Sequence, residues 1–314
     1  REPAVSLLSI SAVVRSAVET INDRLLLWPQ SAFATGILTG RRELLPEDVM
    51  ESFRRSGTMH ILAVSGLHVG FLVLFFLLLC RILRLNQAVS FFALFGVVIF
   101  YMVFIGDAPS VKRASLMVMC GILLFLTDRD RNYLNVLSIV FNLLWLTNPL
   151  QVADPGFLLS FTATFAILYL VPAVVKLLER ALPSFVAVPL AVSFGVQLYL
   201  LPVMLAFFGS FSYITVFANL PIVPLAGLAL ILEILTVLLY PLFMPAAVLV
   251  SEVNIVVITT IFRLAGFFAR VPPVTVGSFP KVFIPVYFAL LTGGLWLLLY
   301  RGRTPLSPAY GFQE

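Results

Sequence analysis

The chain has 314 residues, 61% of them hydrophobic and 11% charged. Soluble domains average about a quarter charged, so an ordinary globular protein is excluded and a polytopic membrane protein is indicated. The net charge of +5 is a small basic excess that favours anionic partners, and Cys80 and Cys120 lie in apolar runs that suggest no disulfide framework.

In residues 1–57, Arg15, Glu19, Asp23 and Arg24 interrupt the apolar positions, which predicts amphipathic helices at the membrane interface. Pro46–Arg55 fits a short helix with Glu47, Asp48 and Glu51 early and Arg54 and Arg55 late, as the helix dipole favours, before Gly57 stops it. Nine hydrophobic spans follow, at 59–83, 87–105, 109–127, 132–148, 156–178, 184–208, 212–239, 242–269 and 282–300. The expected architecture is an all-α polytopic transmembrane bundle over 58–300, with one or more spans broken by proline, followed by a polar tail at 301–314.

Arg81, Arg84, Arg129, Arg131, Lys176 and Arg180 lie in loops that alternate with loops carrying Asp107 and Asp154, so the start of the first span is expected outside. Arg270 and Lys281 against Arg301 and Arg303 leave the side of the C-terminus open. The chain opens at Arg1 without an initiator methionine or signal-peptide pattern, which suggests a piece of a longer protein.

The first span begins HILAVSGLHVG and carries both histidines of the chain. On one helix capped by Thr58, Ser65 and His68 would share a face, with Gly66 allowing close approach of a neighbour. His60 would then lie ~12 Å from His68 along the axis. A polar functional site and two histidines buried in packing are both compatible with that pattern. So wide a separation does not suit a single metal ion, and no metal or cofactor is expected.

Further polar residues recur at helical spacing: Asn135, Ser138 and Asn142, then Ser160 and Thr164, then Ser193 and Gln197. Each stripe fits either interhelical hydrogen bonding or one wall of a shared polar lumen. In GDAPSVKRAS, Pro109 suits a first helical turn, which places Lys112 and Arg113 near a helix N-terminus. They would attract phosphate there or snorkel to lipid headgroups. Asp154 precedes Pro155 and Gly156 as a helix cap. In ANLPIVPLAG, Pro221 and Pro224 follow Asn219 and remove backbone donors, which predicts a broken, lumen-lining helix. Glu233 is deep in the same span and suits either an ion pair with a buried arginine such as Arg263 or proton coupling.

These blocks in this order resemble the ComEC family of competence proteins. The resemblance covers roughly 34–230 and rests on ATGILTGRRELLPEDVMESFRRSGTMHILAVSGLHVG, PSVKRASLM, NPLQVADPGFLLSFTAT and SFGVQLYLLPVMLAFFGSFSYITVFANLPIVPL. Leu158 departs from it, since the family usually has glutamine there. The resemblance implies a multi-pass inner-membrane channel for single-stranded DNA, with a cytoplasmic ATP-driven motor and an extracytoplasmic DNA receptor as partners. It also implies soluble OB-like and metallo-beta-lactamase-like domains elsewhere in the longer chain, where any nuclease activity would reside.

Two other classes compete. Ser65 with His68 suggests an intramembrane hydrolase, although no orienting carboxylate is evident. Glu233 suggests a proton-coupled or small-anion transporter. Without a G-x-x-x-x-G-K-[ST] phosphate loop, energy for DNA transport would come from another protein.

Overall fold

The computed structural model describes residues 7–106, 108–126, 132–276, 280 and 282–300. Asp107, Arg129, Arg131, Lys281, Arg301 and Arg303 lie outside the described residues, as does the tail at 301–314.

The chain is an all-α membrane protein. Three helices precede the apolar segments: α1 (Leu7–Leu25), α2 (Gln30–Thr39) and α3 (Glu47–Ser56). The amphipathic α1 buries Val18, Ile21 and Asn22 and exposes Asp23 and Arg24. Helix α3 matches the expected 46–55 helix, has Glu47 and Asp48 in its first turn and Arg54 and Arg55 in its last, and ends at Gly57 in a left-handed conformation. Helix α2 is absent from the expectations above. Every residue from Ser31 to Thr39 is buried, as befits a short helix with small or apolar residues all round. It packs on α1 and on two long helices near the end of the chain.

Each of the nine expected spans is helical. They are α4 (Gly66–Ile82), α5 (Gln87–Ile105), α6 (Pro109–Leu126), α7 (Tyr133–Thr147), the pair α8 (Pro155–Tyr169) and α9 (Val171–Leu178), α10 (Ser184–Phe208), α11 (Thr215–Leu239), α12 (Met244–Phe268) and α13 (Phe283–Tyr300). Among the described residues, α5, α10, α11 and α12 are long and apolar enough to cross a membrane, and the bent pair α8–α9 makes a fifth; α4, α7 and α13 are shorter apolar helices. A two-stranded antiparallel ribbon, β1 (Ser210–Phe211) with β2 (Val274–Thr275), ties the end of α10 to the segment after α12.

Two expectations about helix ends are corrected. The span at 212–239 is not broken: α11 runs through Pro221 and Pro224 for 25 residues. It packs along α12 and α10, and neighbouring helices commonly compensate for missing donors in this way. The proline break falls in the fifth span, where α8 and α9 meet at 48° beside Pro172 near the start of α9. The first span does not begin at Thr58 either. Met59–Ile61 forms a 3-10 turn, residues 62–65 are non-helical, and Ser65 is the true cap of α4.

The main core joins α2, α3, α4, α11 and α12. Phe33 of α2, Phe53 of α3 and Phe262 of α12 meet there with ring centroids 5.3–6.3 Å apart.

Candidate functional site

Ser65 and His68 form a capping box. The Ser65 hydroxyl accepts the amide proton of Leu67 at 3.3 Å, and the Ser65 amide donates to Nδ1 of His68 at 3.2 Å. The buried His68 ring also hydrogen-bonds the backbone of Ile61. Both polar ends of the imidazole therefore hold the turn that enters α4. Ser65 Oγ is 3.2 Å from His68 Nδ1, but that nitrogen already accepts from the backbone, and the contact serves capping rather than nucleophile activation.

His60 sits in the preceding turn, not on α4, and hydrogen-bonds the backbone of Gly57. The ~12 Å separation expected for one continuous helix therefore does not apply, because the turn brings the two imidazoles close enough to influence one another. Among the described residues, no group of three or more His, Cys, Asp or Glu could hold a metal ion.

The SGLH turn docks on the start of α6. Ser110 donates to the Val64 carbonyl at 2.8 Å, and a Cβ at Gly66 would lie 3.3 Å from that of Ala114. From the same helix, Arg113 extends toward α8. It is 2% exposed, donates from Nη2 to the Gly156 carbonyl at 2.9 Å, and lies 5.3 Å from the ring centroids of both Phe157 and Phe161. Asp154, the side-chain cap of α8 through the Phe157 amide at 2.9 Å, acts on it electrostatically.

This corrects the expected phosphate site. Lys112 and Arg113 do not form an open pair at a helix end: Arg113 is an internal tie between α6 and α8, stacked on rings as a guanidinium does well. Lys112 is half-buried and has an interaction of its own.

A second junction joins α3 to the start of α11. Ser212 donates to the Arg55 carbonyl at 2.7 Å, and Thr215 lies 3.2 Å from the Ser56 carbonyl and 2.7 Å from that of Ser212. Gln197 donates to Ser212 O at 3.1 Å, and Asn219 donates to Ser193 Oγ at 2.9 Å. The Ser193–Gln197 stripe therefore hydrogen-bonds between elements. The other two stripes bond backward along their own helices: Ser138 to Leu134 O, Asn142 to Ser138 O, and Thr164 to Ser160 O. Ser138 and Asn142 remain exposed.

Glu233 is fully buried. Arg263 is exposed on α12, and no ion pair among the described residues joins the two, which corrects that expectation. The side chain facing the Glu233 carboxyl is Asn22 of α1, and neither carboxyl oxygen makes a hydrogen bond of normal length. Asn22 itself donates to Thr35 Oγ1 at 2.9 Å. Sequence reasoning missed Asn22 and Thr35, although an asparagine on the apolar face of an amphipathic helix was a visible signal.

The motif blocks thus converge: the turn at 57–68, the start of α6 and the start of α8 form one continuous set of contacts, and Ser56 links it to α11. The family model described as Competence protein matches residues 37–303, which include all of these positions. The chain belongs to the Competence protein family. Among its relatives, ComE operon protein 3 of Bacillus subtilis (strain 168) is 29% identical over 216 residues, 67% of this chain and 26% of that protein. An uncharacterized protein of Aquifex aeolicus (strain VF5) is 30% identical over 270 residues, 84% of this chain and 60% of that protein. The chain thus matches only part of each relative's length. No solved structure matches. The Competence match confirms the ComEC-family resemblance and covers all nine apolar segments, including those beyond 230.

Proposed function

We propose that the chain is the membrane channel of a DNA-uptake protein and passes single-stranded DNA across the bacterial inner membrane. The observation that carries this reading is the Competence match over residues 37–303, which spans α3 to α13 and every converging motif. The relative named ComE operon protein 3 supports it. Single strands are usually held by contacts that ignore sequence, and the exposed Ser138 and Asn142 offer polar groups for that purpose within an apolar helix. A cytoplasmic motor, an outer DNA receptor, and the OB-like and metallo-beta-lactamase-like domains of the longer chain complete the system in this reading.

The test is reconstitution of the chain in liposomes with fluorescent oligonucleotides outside. Single strands protected from added nuclease, driven inward by an imposed potential and unmatched by duplex of equal length, are the expected result. Exclusion of both would overturn the channel reading. A proton-coupled transporter is the second reading, favoured by the fully buried Glu233 with no cation beside it among the described residues. Proton-linked uptake of a small solute without oligonucleotide entry would establish it instead.

A further inference from the structure

A groove of about 610 Å3 runs between α7, α8, α10 and α13. Its wall is aromatic: Phe141, Phe157 and Phe161 pack with centroids 4.5–5.6 Å apart, and Phe165, Tyr199 and Phe288 extend it. Along the same groove lie Ser138, Asn142, Thr162 and Thr292. A surface built only to meet acyl chains has no use for a row of hydroxyls and an amide, and an asparagine exposed to hydrocarbon midway along a helix is costly. Neither Ser138 nor Asn142 is tied to another helix by the bonds described above. Asn142 donates to Ser138 O of its own helix and is exposed among the groove's lining residues.

Behind the wall stands an independent anomaly. Arg113 is buried against the two rings that line the groove, Phe157 and Phe161, with Nε and Nη1 lacking hydrogen-bond partners. A cation behind a ring draws electron density back from it, so the accessible surface of Phe161, the half-buried ring of the pair, is complementary to electron-rich π faces.

We infer that this groove is a stacking site for unpaired nucleobases, with Phe141 and Phe161 meeting the base faces and Ser138 and Asn142 meeting their polar edges. The inference rests on the single-stranded DNA reading and deepens it. The volume is within the usual range of ~300–1,000 Å3 for small-ligand sites and accommodates a base with its sugar. Among the described lining residues none is charged, so the groove selects bases and leaves phosphates to be neutralised elsewhere. Because every base has a π face, such a site accepts any sequence.

The experiment uses the chain in nanodiscs and two oligonucleotides of equal length, one of thymidines and one of abasic residues. The thymidine strand should bind about tenfold more tightly, and 5-iododeoxyuridine should photocrosslink to Phe141 or Phe161. Phe161→Leu should reduce that preference to about twofold or less. The exposed substitution Asn142→Leu should weaken it severalfold without affecting folding, so a misfolded Phe161 variant would not decide the matter. Equal binding of both strands, or crosslinks confined to positions outside the groove, would overturn the inference while leaving the channel reading intact. A phospholipid retained by the parent protein but lost from both variants, with DNA binding unchanged, would assign the groove to lipid. Failure of the parent to bind or admit either strand would overturn both.

Discussion

The Ser110 hydroxyl donates to the Val64 carbonyl at 2.8 Å across 46 residues of sequence. That carbonyl belongs to the non-helical turn before α4, where carbonyls have no intrahelical partner, and the bond fixes the turn on α6. Ser110→Ala should therefore lower stability by about 1 kcal/mol and loosen the turn. Thermal unfolding in detergent together with hydrogen exchange at residues 62–66 would measure both, and exchange unchanged from the parent would refute the tie.

The capping box makes a related prediction for His68. His68→Asn retains a side-chain acceptor near the Ser65 amide, whereas His68→Leu preserves bulk alone. The leucine variant should lose about 1 kcal/mol and the asparagine variant less. Unfolding midpoints at matched abundance would separate them, and equal values would assign His68 to packing.

Arg113→Lys should behave as a disruptive change although it retains the charge. An ammonium cannot stack on two rings while reaching Gly156 O. We expect a loss of about 2–4 kcal/mol, with membrane abundance falling in step with uptake. Normal abundance with abolished uptake would point instead to a direct contact with the transported molecule.

Gly57 has φ +76°, and an added Cβ would lie 1.7 Å from Thr215 Oγ1. Gly57→Ala should abolish stable folding through clash and backbone strain together. The double variant Gly57→Ala, Thr215→Ala should recover only part of the loss, since the left-handed strain of ~1 kcal/mol remains. Expression level and unfolding midpoint of the pair provide the measurement.

Because no cation among the described residues faces Glu233, Glu233→Gln should be neutral or stabilising. Loss of a partner from a buried ion pair would cost about 3–5 kcal/mol, so an unfolding midpoint lowered to that extent would reveal a pairing that the structure does not contain.

The sequence displayed what hydropathy can encode. The nine apolar runs became helices because each has few charges and its backbone bonds can close within the segment. It also displayed the special chemistry of 60–70, 109–115 and 154–157, since polar residues at the head of apolar runs have few roles besides capping and docking. Their destinations were hidden. Nothing local in Lys112-Arg113 says that the second cation turns inward onto Phe157 and Phe161. Pro221 and Pro224 signalled a break that long-range packing against α12 suppressed, whereas Pro172 marked the bend that does occur. Helix α2 was invisible for a simpler reason: ten residues without periodic polarity resemble a loop until their surroundings are known.

That buried helix has a consequence for how the protein is made. Ser31–Thr39 is sequestered by helices that begin at Thr215 and Met244, so a ribosome must deliver most of the bundle before α2 has anywhere to go. Contacts that bridge such separations close slowly. The early segment must wait until the later helices are in place, and a nascent chain stopped before α11 would leave α2 open to proteases. Assembly of this bundle thus finishes at its centre, with one of its earliest helices among the last to be enclosed.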